Sequence, residues 1–281
     1  MSFVVLVDSS SDIPQELSQK EGLVVVPMPV NIEGKTFLEG VEIFPDDFYP
    51  KFPTFSELPK TSQPNLGDLK EAYEAILAQG HEVVAVHLSS GLSSTYDTAR
   101  LVRDTCSQPE KIHVIDSLGA SLGCGLLALQ VNQLLKNVQS WEEAEPQILQ
   151  LRSKMRYVFT IDVLDYLVKG GRVSKTAGFI GGLLDVKPLL HITAEGRIEP
   201  FAKIRSRKAA LRKLVDVMQE EIRNPEEQVI GISHAYCRED AEFLAAEIRS
   251  RIQVKDIIIS YIGCVVGSHT GPGGLALFYT V

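Results

Sequence analysis

Hydroxyl-bearing side chains, which can donate hydrogen bonds to an anion, cluster in short segments of this sequence. The densest segment, Ser89-Ser90-Gly91-Leu92-Ser93-Ser94-Thr95, carries five hydroxyl groups in seven residues and lies between a predicted strand and a predicted helix. In an open α/β sheet, ligands bind at such places, because free N–H groups at the start of the helix favour an anion. One serine would suffice to cap the helix. The surplus of hydroxyl groups therefore predicts a ligand-binding loop.

Two other hydroxyl-rich segments are less specific. Thr61-Ser62-Gln63-Pro64 is typical of a turn when taken alone. Asp8-Ser9-Ser10-Ser11-Asp12 follows the first predicted strand and is compatible with helix capping as well as with ligand binding. No metal site is predicted there, because the sequence supplies no further acidic or histidine ligands at a suitable spacing.

Basic and glycine-rich segments occur in the second half of the chain. Gly170-Gly171-Arg172-Val173-Ser174-Lys175-Thr176 does not match the phosphate loop G-x-x-x-x-G-K-[ST]. The densest positive patch is Lys203-Ile204-Arg205-Ser206-Arg207-Lys208, which is equally typical of a solvated helix start. Gly267-Ser268-His269-Thr270-Gly271-Pro272-Gly273-Gly274 predicts a loop that brings backbone N–H groups and an imidazole against an anion.

Two enzyme motifs are not supported by their context. Gly123-Cys124-Gly125-Leu126-Leu127-Ala128 fits G-x-G-x-x-A, but it lies inside a helical pattern and therefore predicts helix packing rather than dinucleotide binding. The nucleophile elbow G-x-S-x-G has no match at Ser89. A serine hydrolase or acyltransferase that pairs Ser93 with His269, or uses His234, stays open, because such triads are defined by geometry.

The composition limits the class of protein. Of 281 residues, 44% are hydrophobic and 23% are charged, as in ordinary globular proteins. The net charge of −8 argues against a general nucleic-acid binder. The four cysteines form no C-x-x-C pair, which indicates reduced thiols rather than disulfides or a zinc site. Without a basic leader or a membrane-length apolar run, the chain is expected to be a cytoplasmic, soluble protein.

The elements that must position these segments alternate along the first half of the chain. Apolar runs predict strands at residues 3–7, 23–30, 82–88 and 111–116, with helices at 66–79, 95–104 and 121–138. This pattern predicts a mostly parallel sheet flanked by helices. Residues 44–64 read as neither helix nor strand and predict a lid or ligand-facing loop.

The pattern changes after residue 155. It predicts a strand at residues 157–161, a short helix at 163–168 and a hairpin formed by 188–193 and 197–203. Helices at 207–223 and 238–251 and strands at 229–233, 257–262 and 275–280 complete the prediction. We therefore expect an α/β protein of two domains, an N-terminal α/β domain at 1–155 and a C-terminal α+β domain at 156–281.

Taken together and in this order, the motifs resemble those of the DegV family of fatty-acid-binding proteins. Besides the segments at 8–12 and 61–64, the resemblance is carried by Ser90-Gly91-Leu92-Ser93-Ser94-Thr95-Tyr96, Asp116-Ser117, Gly170-Gly171-Arg172-Val173-Ser174, Lys187-Pro188, Arg205-Ser206-Arg207-Lys208 and His269-Thr270-Gly271-Pro272-Gly273. It spans nearly the whole chain. Ser94 departs from the family, which commonly has glycine there, but leaves Ser93 available.

The resemblance implies a long-chain fatty acid, such as palmitate, stearate or oleate, buried between the two domains, with no other cofactor and no metal. It implies that Thr61 and Ser93 bind the carboxylate, and that Arg172, Arg205 and a protonated His269 lie near its exposed end. The protein would then be a carrier and not an enzyme, presenting the carboxylate to the catalytic subunit of an ATP-dependent fatty acid kinase. The resulting acyl phosphate would serve phospholipid synthesis, and transient membrane contact is compatible with this role.

Two alternatives to the kinase-linked carrier stay open. A lipid-sensing protein without a kinase partner is an alternative to the carrier, beside the serine hydrolase or acyltransferase. The absence of a phosphate-loop motif agrees with a kinase that acts in trans. Ile180, Leu183 and Leu184 are candidates for lining the acyl tunnel, although ordinary core packing explains them equally well.

Overall fold

The computed structural model describes residues 2–173 and 186–281. Within these ranges the strands are β1 (Phe3–Asp8), β2 (Val24–Val26), β3 (Pro29–Ile32), β4 (Lys35–Leu38), β5 (Lys60–Thr61), β6 (Glu82–His87), β7 (Ile112–Asp116), β8 (Met155–Thr160), β9 (Val186–Ile192), β10 (Ile198–Arg205), β11 (Val229–His234), β12 (Asp256–Tyr261) and β13 (Leu275–Thr280).

The α-helices of the same ranges are α1 (Gln15–Glu21), α2 (Pro45–Phe48), α3 (Leu66–Ala78), α4 (Thr95–Arg103), α5 (Ser121–Leu135), α6 (Trp141–Lys154), α7 (Leu164–Lys169), α8 (Arg207–Glu221), α9 (Arg238–Arg251) and α10 (Cys264–Thr270). In this part of the chain no helix combines the length and the apolar character that a membrane span requires.

The first sheet is parallel throughout and has the strand order β2-β1-β6-β7. Its central strands are buried on both faces, which explains why they read as continuous apolar runs. Helices α3 and α4 cover one face through a buried cluster that includes Leu69, Tyr73 and Val102. The predicted N-terminal parallel sheet flanked by helices is therefore confirmed.

The second sheet is mixed and contains every described strand that follows residue 154. Its order is β10-β9-β8-β13-β11-β12, and only the pair β11 and β12 is parallel. Helices α8 and α9 cover one face through buried side chains such as Leu214 and Leu244. The C-terminal mixed sheet with its packed helices confirms the expected α+β character.

Helix α5 fills the layer between the two sheets. Its glycines permit this close packing, because a Cβ at Gly123 would overlap Tyr157 and Phe278 of the second sheet. A Cβ at Gly125 would instead collide with Ile13, near the end of the first strand. The G-x-G-x-x-A sequence thus serves helix packing, as predicted, and not a dinucleotide.

Three sequence predictions are wrong, and one helix was not predicted. Residues 23–30 do not form one strand: β2 belongs to the parallel sheet and β3 to a separate antiparallel sheet of order β4-β3-β5. Pro27 and Pro29 lie at the break, where each lacks the N–H that a continuous ladder needs. Helix α6 was missed altogether, and Pro146 inside it obscures the helical pattern.

The other two errors concern segments near the predicted site. Residues 44–64 are not free of regular structure, because they contain α2, a short 3₁₀ turn at Phe52–Thr54 and β5. Phe48 and Phe52 are buried there against the three-stranded sheet, so packing overrides the loop-like sequence. The glycine-rich segment 267–274 starts inside α10, which ends at Thr270 and is followed by the C-cap residue Gly271, where φ is +67°.

Candidate functional site

An apolar cavity lies where the predicted ligand-binding segments meet. Its empty space, including the part that is open to solvent, is about 480 Å³. The described residues that line it include eight apolar side chains: Met28, Leu88, Leu92, Ala120, Leu167, Ile198, Val265 and Val266. Its polar lining consists of Thr61, Ser93, Arg172, His269 and Thr270. Four of the five side chains expected at the site thus border one cavity.

Thr61 and His269 are in direct contact. Thr61 ends β5 and His269 lies in the last turn of α10, and 2.9 Å separates the Thr61 hydroxyl Oγ1 from His269 Nε2. When Nε2 carries the ring proton, it donates to Oγ1 and leaves the hydroxyl hydrogen free for another acceptor. The pair can therefore deliver one hydrogen bond into the cavity.

Ser93 lies two residues before the first residue of α4. Its Oγ is 2.8 Å from the hydroxyl of Thr95 and accepts a hydrogen bond from the backbone N–H of Thr95 at 3.2 Å. This contact lies at the start of α4, but the N-cap residue is Ser94, and its side chain makes no capping hydrogen bond. Ser93 is half-buried and lines the cavity all the same, at a helix N-terminus that favours negative charge.

Arg172 follows α7 and connects this region to residues 89–95, called the serine loop below. Its Nε donates to the carbonyl of Leu92 at 3.1 Å, and one terminal nitrogen donates to the carbonyl of Gly170 at 2.5 Å. Partial burial lowers the pKa of the Arg172 guanidinium from its ordinary value. A guanidinium nevertheless stays charged at neutral pH, so Arg172 brings a positive charge to the cavity.

His269 is neutral at pH 7 in this structure. Burial, and after it the positive charge of Arg172, lowers the pKa of the imidazole to about 4. These surroundings therefore favour the neutral imidazole at pH 7. A bound anion would favour the charged imidazole, since an opposite charge nearby always raises a histidine pKa.

Arg205 is not brought to the cavity. It is an exposed residue at the end of the edge strand β10, where its backbone pairs with Val186. It does not appear among the described residues that line the cavity. Its position leaves the guanidinium on the surface of the second sheet.

The serine loop also joins the two halves of the chain. Ser89 is fully buried and donates to the carbonyl of Gly196, in the turn between β9 and β10, at 2.8 Å. A Cβ at Gly91 would lie 2.6 Å from the same carbonyl oxygen. Ser94 donates to the side chain of Gln63 at 3.2 Å, so the two hydroxyl-rich segments are neighbours in space.

The geometry does not support a serine nucleophile in this cavity. A triad needs a hydrogen bond between the nucleophile and its base. Here Ser93 Oγ bonds to Thr95, while the ring nitrogen of His269 bonds to Thr61. His234 is buried, and neither of its ring nitrogens has a hydrogen-bond partner among the described residues.

Sequence reasoning missed the apolar lining of the cavity. These side chains come from separate elements, and most of them look like ordinary core residues in the sequence. The proposed tunnel residues Ile180, Leu183 and Leu184 lie outside the described residues. Within residues 2–173 and 186–281, no group of three or more His, Cys, Asp or Glu side chains could hold a metal ion.

Fold and cavity together define a class: α/β proteins with a parallel and a mixed sheet and an apolar cavity whose described lining includes polar side chains and the cation Arg172. Comparisons with known proteins identify the family, since residues 2–281 match the one described as "Uncharacterised protein, DegV family". A DegV domain-containing protein of Clostridium perfringens is 38% identical over 282 residues, covering 99% of this chain and 97% of that protein. The chain belongs to the DegV family.

Solved structures of similar proteins share the whole fold. A DegV family protein from Thermus thermophilus, described for its fatty acid binding, has a TM-score of 0.92 and 30% identity, with all of both chains covered. A stearic acid-binding protein from Eubacterium ventriosum has a TM-score of 0.89 and 26% identity, covering 98% of this chain and 97% of the other.

Proposed function

We propose that this chain binds one long-chain fatty acid, with its carboxylate at Thr61 and Ser93 and its acyl chain along the apolar lining. The observation that carries the proposal is the shared cavity, in which Thr61, Ser93, Arg172 and His269 accompany eight apolar side chains. The fatty acids named for the Thermus and Eubacterium structures support this ligand class. Palmitate, stearate and oleate are the candidate ligands.

The free energies favour an amphiphile. Burial of each CH₂ group contributes about 0.8 kcal/mol, so a long acyl chain gains on the order of 10 kcal/mol before ordering costs. A carboxylate cannot enter an apolar site without hydrogen-bond partners. Thr61, with His269 behind it, and Ser93 at the start of α4 supply donors, and Arg172 supplies the opposite charge.

We further propose that the bound carboxylate is phosphorylated by a separate ATP-dependent kinase subunit. A carboxylate oxygen attacks the γ-phosphorus of ATP, the bond from phosphorus to the bridging oxygen breaks, and ADP leaves with that electron pair. The product is an acyl phosphate, used in phospholipid synthesis. Arg172 would stabilise charge on the transferring phosphoryl group, and neutral His269 would donate a hydrogen bond through Thr61.

Arg205 receives a different role in this proposal. Because it is exposed and outside the cavity lining, it fits contact with the kinase better than contact with the carboxylate.

We also place the division between the two domains near residue 155, at the start of β8, where the second sheet begins. The four free cysteines accord with a cytoplasmic location.

The ligand class is tested by displacement of the fluorescent fatty acid cis-parinaric acid. Palmitate and oleate should displace it with one site per chain, and methyl palmitate, which lacks the anionic carboxylate, should displace it less effectively. Equal displacement by palmitate and its methyl ester would contradict a carboxylate site.

The kinase partner is tested separately. When the palmitate-loaded protein is mixed with a purified kinase subunit and ATP, acyl phosphate should form; a protein that only senses lipid would yield none.

A further inference from the structure

Helix α10 is held at its first turn by two buried carboxyl groups. The first N–H groups of any helix lack partners within the helix. Here Asp12 Oδ1 accepts from the backbone N–H of Gly263 at 3.0 Å, and Glu39 Oε1 accepts from the N–H of Val265 at 2.8 Å. Asp12 is 8% exposed and Glu39 is 6% exposed. Both contacts are thus part of the protein interior.

Both carboxyl groups come from the N-terminal half of the chain and are themselves held in place. Ser9 donates to Glu39 Oε2 at 2.5 Å, and Ser121 donates to the carboxylate of Asp12. Gly263 permits this arrangement, because a Cβ there would overlap both carboxyl groups. These hydrogen bonds therefore connect four parts of the chain: the segment 8–12, the end of β4, the start of α5 and the start of α10.

The same short helix carries part of the ligand cavity. Val265, Val266, His269 and Thr270 of α10 all line it. A helix of seven residues is only about 10 Å long, so a shift of its first turn is carried to its last. The position of His269 against Thr61 thus depends on how the first turn is held.

The segment that contains Asp12 also contacts a second part of the cavity lining. Asp8 Oδ2 accepts from the backbone N–H of Leu88 at 3.1 Å and contacts His87 Nδ1 at 3.0 Å. Leu88 lines the cavity and directly precedes the serine loop. Residues 8–12 therefore fix the strand end that leads to Ser93 and, through Asp12, the helix that carries His269.

We propose that Asp12 and Glu39 are positioning residues for the carboxylate site, acting through α10 on His269 and Thr61. The proposal rests on the proposed function, because it assumes a carboxylate ligand. It assigns the acidic and serine-rich segment at 8–12 a task in ligand recognition beyond helix capping.

The energetics of the pair agree with a role other than stability. Burial raises the pKa of both carboxyl groups, and repulsion from Glu39 adds to the rise at Asp12. An acid whose pKa is raised by folding stabilises the protein only at low pH, and that contribution is lost as the pH rises through the folded pKa. At higher pH the pair therefore contributes less to stability than it does in acid.

The test compares Glu39→Ala and Glu39→Gln with Glu33→Ala. Glu33 is the matched control, because this exposed glutamate of the same region also accepts from a backbone N–H, that of Ser56. For each variant, displacement of cis-parinaric acid gives the affinities for palmitate and methyl palmitate, and thermal unfolding gives the stability. The ratio of the two affinities reports on carboxylate recognition, which a general loss of stability would not change.

Glu39→Ala should weaken palmitate binding roughly tenfold and methyl palmitate binding much less, because one N–H of α10 loses its buried acceptor. Glu39→Gln, which keeps an oxygen acceptor, should bind palmitate within about twofold of wild type. Glu33→Ala should match wild type in both affinities. If Glu39→Ala does not fold, Glu39→Asp, one methylene shorter, replaces it with the same expectation.

Two outcomes would overturn the positioning role. One is an unchanged affinity ratio in the Glu39→Ala or Glu39→Asp protein; the other is a loss in Glu39→Gln equal to that in Glu39→Ala. If wild type itself binds no palmitate, the proposed function fails instead, so the two failures are distinguishable.

Discussion

Thr61 Oγ1 and His269 Nε2 lie 2.9 Å apart although 208 residues separate them in the chain. The contact joins the three-stranded sheet of the N-terminal half to α10 of the C-terminal half. It places a hydroxyl group, backed by an imidazole, at the apolar cavity that Ser93 and Arg172 also line. The cavity therefore depends on both halves of the chain.

Removal of either cavity hydroxyl should weaken fatty acid binding. Thr61→Ala and Ser93→Ala each leave the carboxylate short of one donor, which costs about 1–3 kcal/mol, or roughly 5- to 150-fold in palmitate affinity. Displacement of cis-parinaric acid measures the loss. Ser94→Ala is the matched control, because Ser94 is exposed and bonds to Gln63 instead of facing the cavity. A loss in Ser94→Ala as large as that in Ser93→Ala would contradict the assignment.

Gly91→Ala should separate the serine loop from the hairpin turn. The added Cβ would lie 2.6 Å from the backbone oxygen of Gly196, which cannot rotate away as a side chain can. We expect a stability loss of about 1–3 kcal/mol, typical of overpacking, together with weaker palmitate binding. Gly34→Ala serves as control: no atom lies within 4 Å of its added Cβ, so it bears only the strain of a φ of +82°. Denaturant unfolding in which Gly91→Ala matches wild type would show that the loop contact is dispensable.

His234 should make the protein less stable in mild acid. Burial, followed by the charge of Arg238, lowers its pKa to about 4, whereas a histidine in the unfolded chain titrates near pH 6.5. Between these values the unfolded state binds the proton and the folded state does not, so stability falls as the pH drops from about 6.5 to about 4. The full contribution is on the order of 3 kcal/mol.

His234→Phe isolates this contribution. Phenylalanine keeps a ring against Tyr261, whose centroid lies 4.5 Å from that of His234, and has no nitrogen to protonate. The variant should gain stability over wild type, and the gain should be larger at pH 5 than at pH 7.5. A gain that is the same at both pH values would refute the lowered pKa.

Arg205→Ala and Arg172→Ala should differ in what they impair. Arg205 is exposed and outside the cavity lining, so Arg205→Ala should keep palmitate affinity and reduce acyl-phosphate formation by a kinase subunit. Arg172→Ala should reduce both, since Arg172 lines the cavity and donates to Leu92. Arg238→Ala, which removes another exposed arginine, should affect neither measurement. Normal acyl-phosphate formation by Arg205→Ala would remove Arg205 from kinase contact.

The sequence was most informative where local chemistry decides the structure. Asn65 accepts from the N–H of Gly67 at the start of α3, as its type and position predict. The parallel strands were recognisable because both of their faces are buried. Four of the five site residues border one cavity, but the resemblance to the DegV family implied their roles, and residue types and spacing alone did not assign them.

What the sequence could not reveal depends on contacts between distant segments. Val265 and Val266 look like core residues, and only the packing of α10 brings them to the cavity. Gly267, in the helical start of segment 267–274, lies against Tyr49, because a Cβ there would be 2.3 Å from the Tyr49 hydroxyl. The neutral state of His269 likewise follows from its burial beside Arg172, which no local pattern encodes.

The central claim, that one fatty acid occupies the cavity, is tested most directly by mass spectrometry of protein purified without added lipid, in the native state and after organic extraction. We predict one adduct per chain whose mass matches a long-chain fatty acid, reduced in the Thr61→Ala and Ser93→Ala variants but not in Ser94→Ala. An apo mass, followed by failure of both palmitate and oleate to bind in titration, would contradict the account.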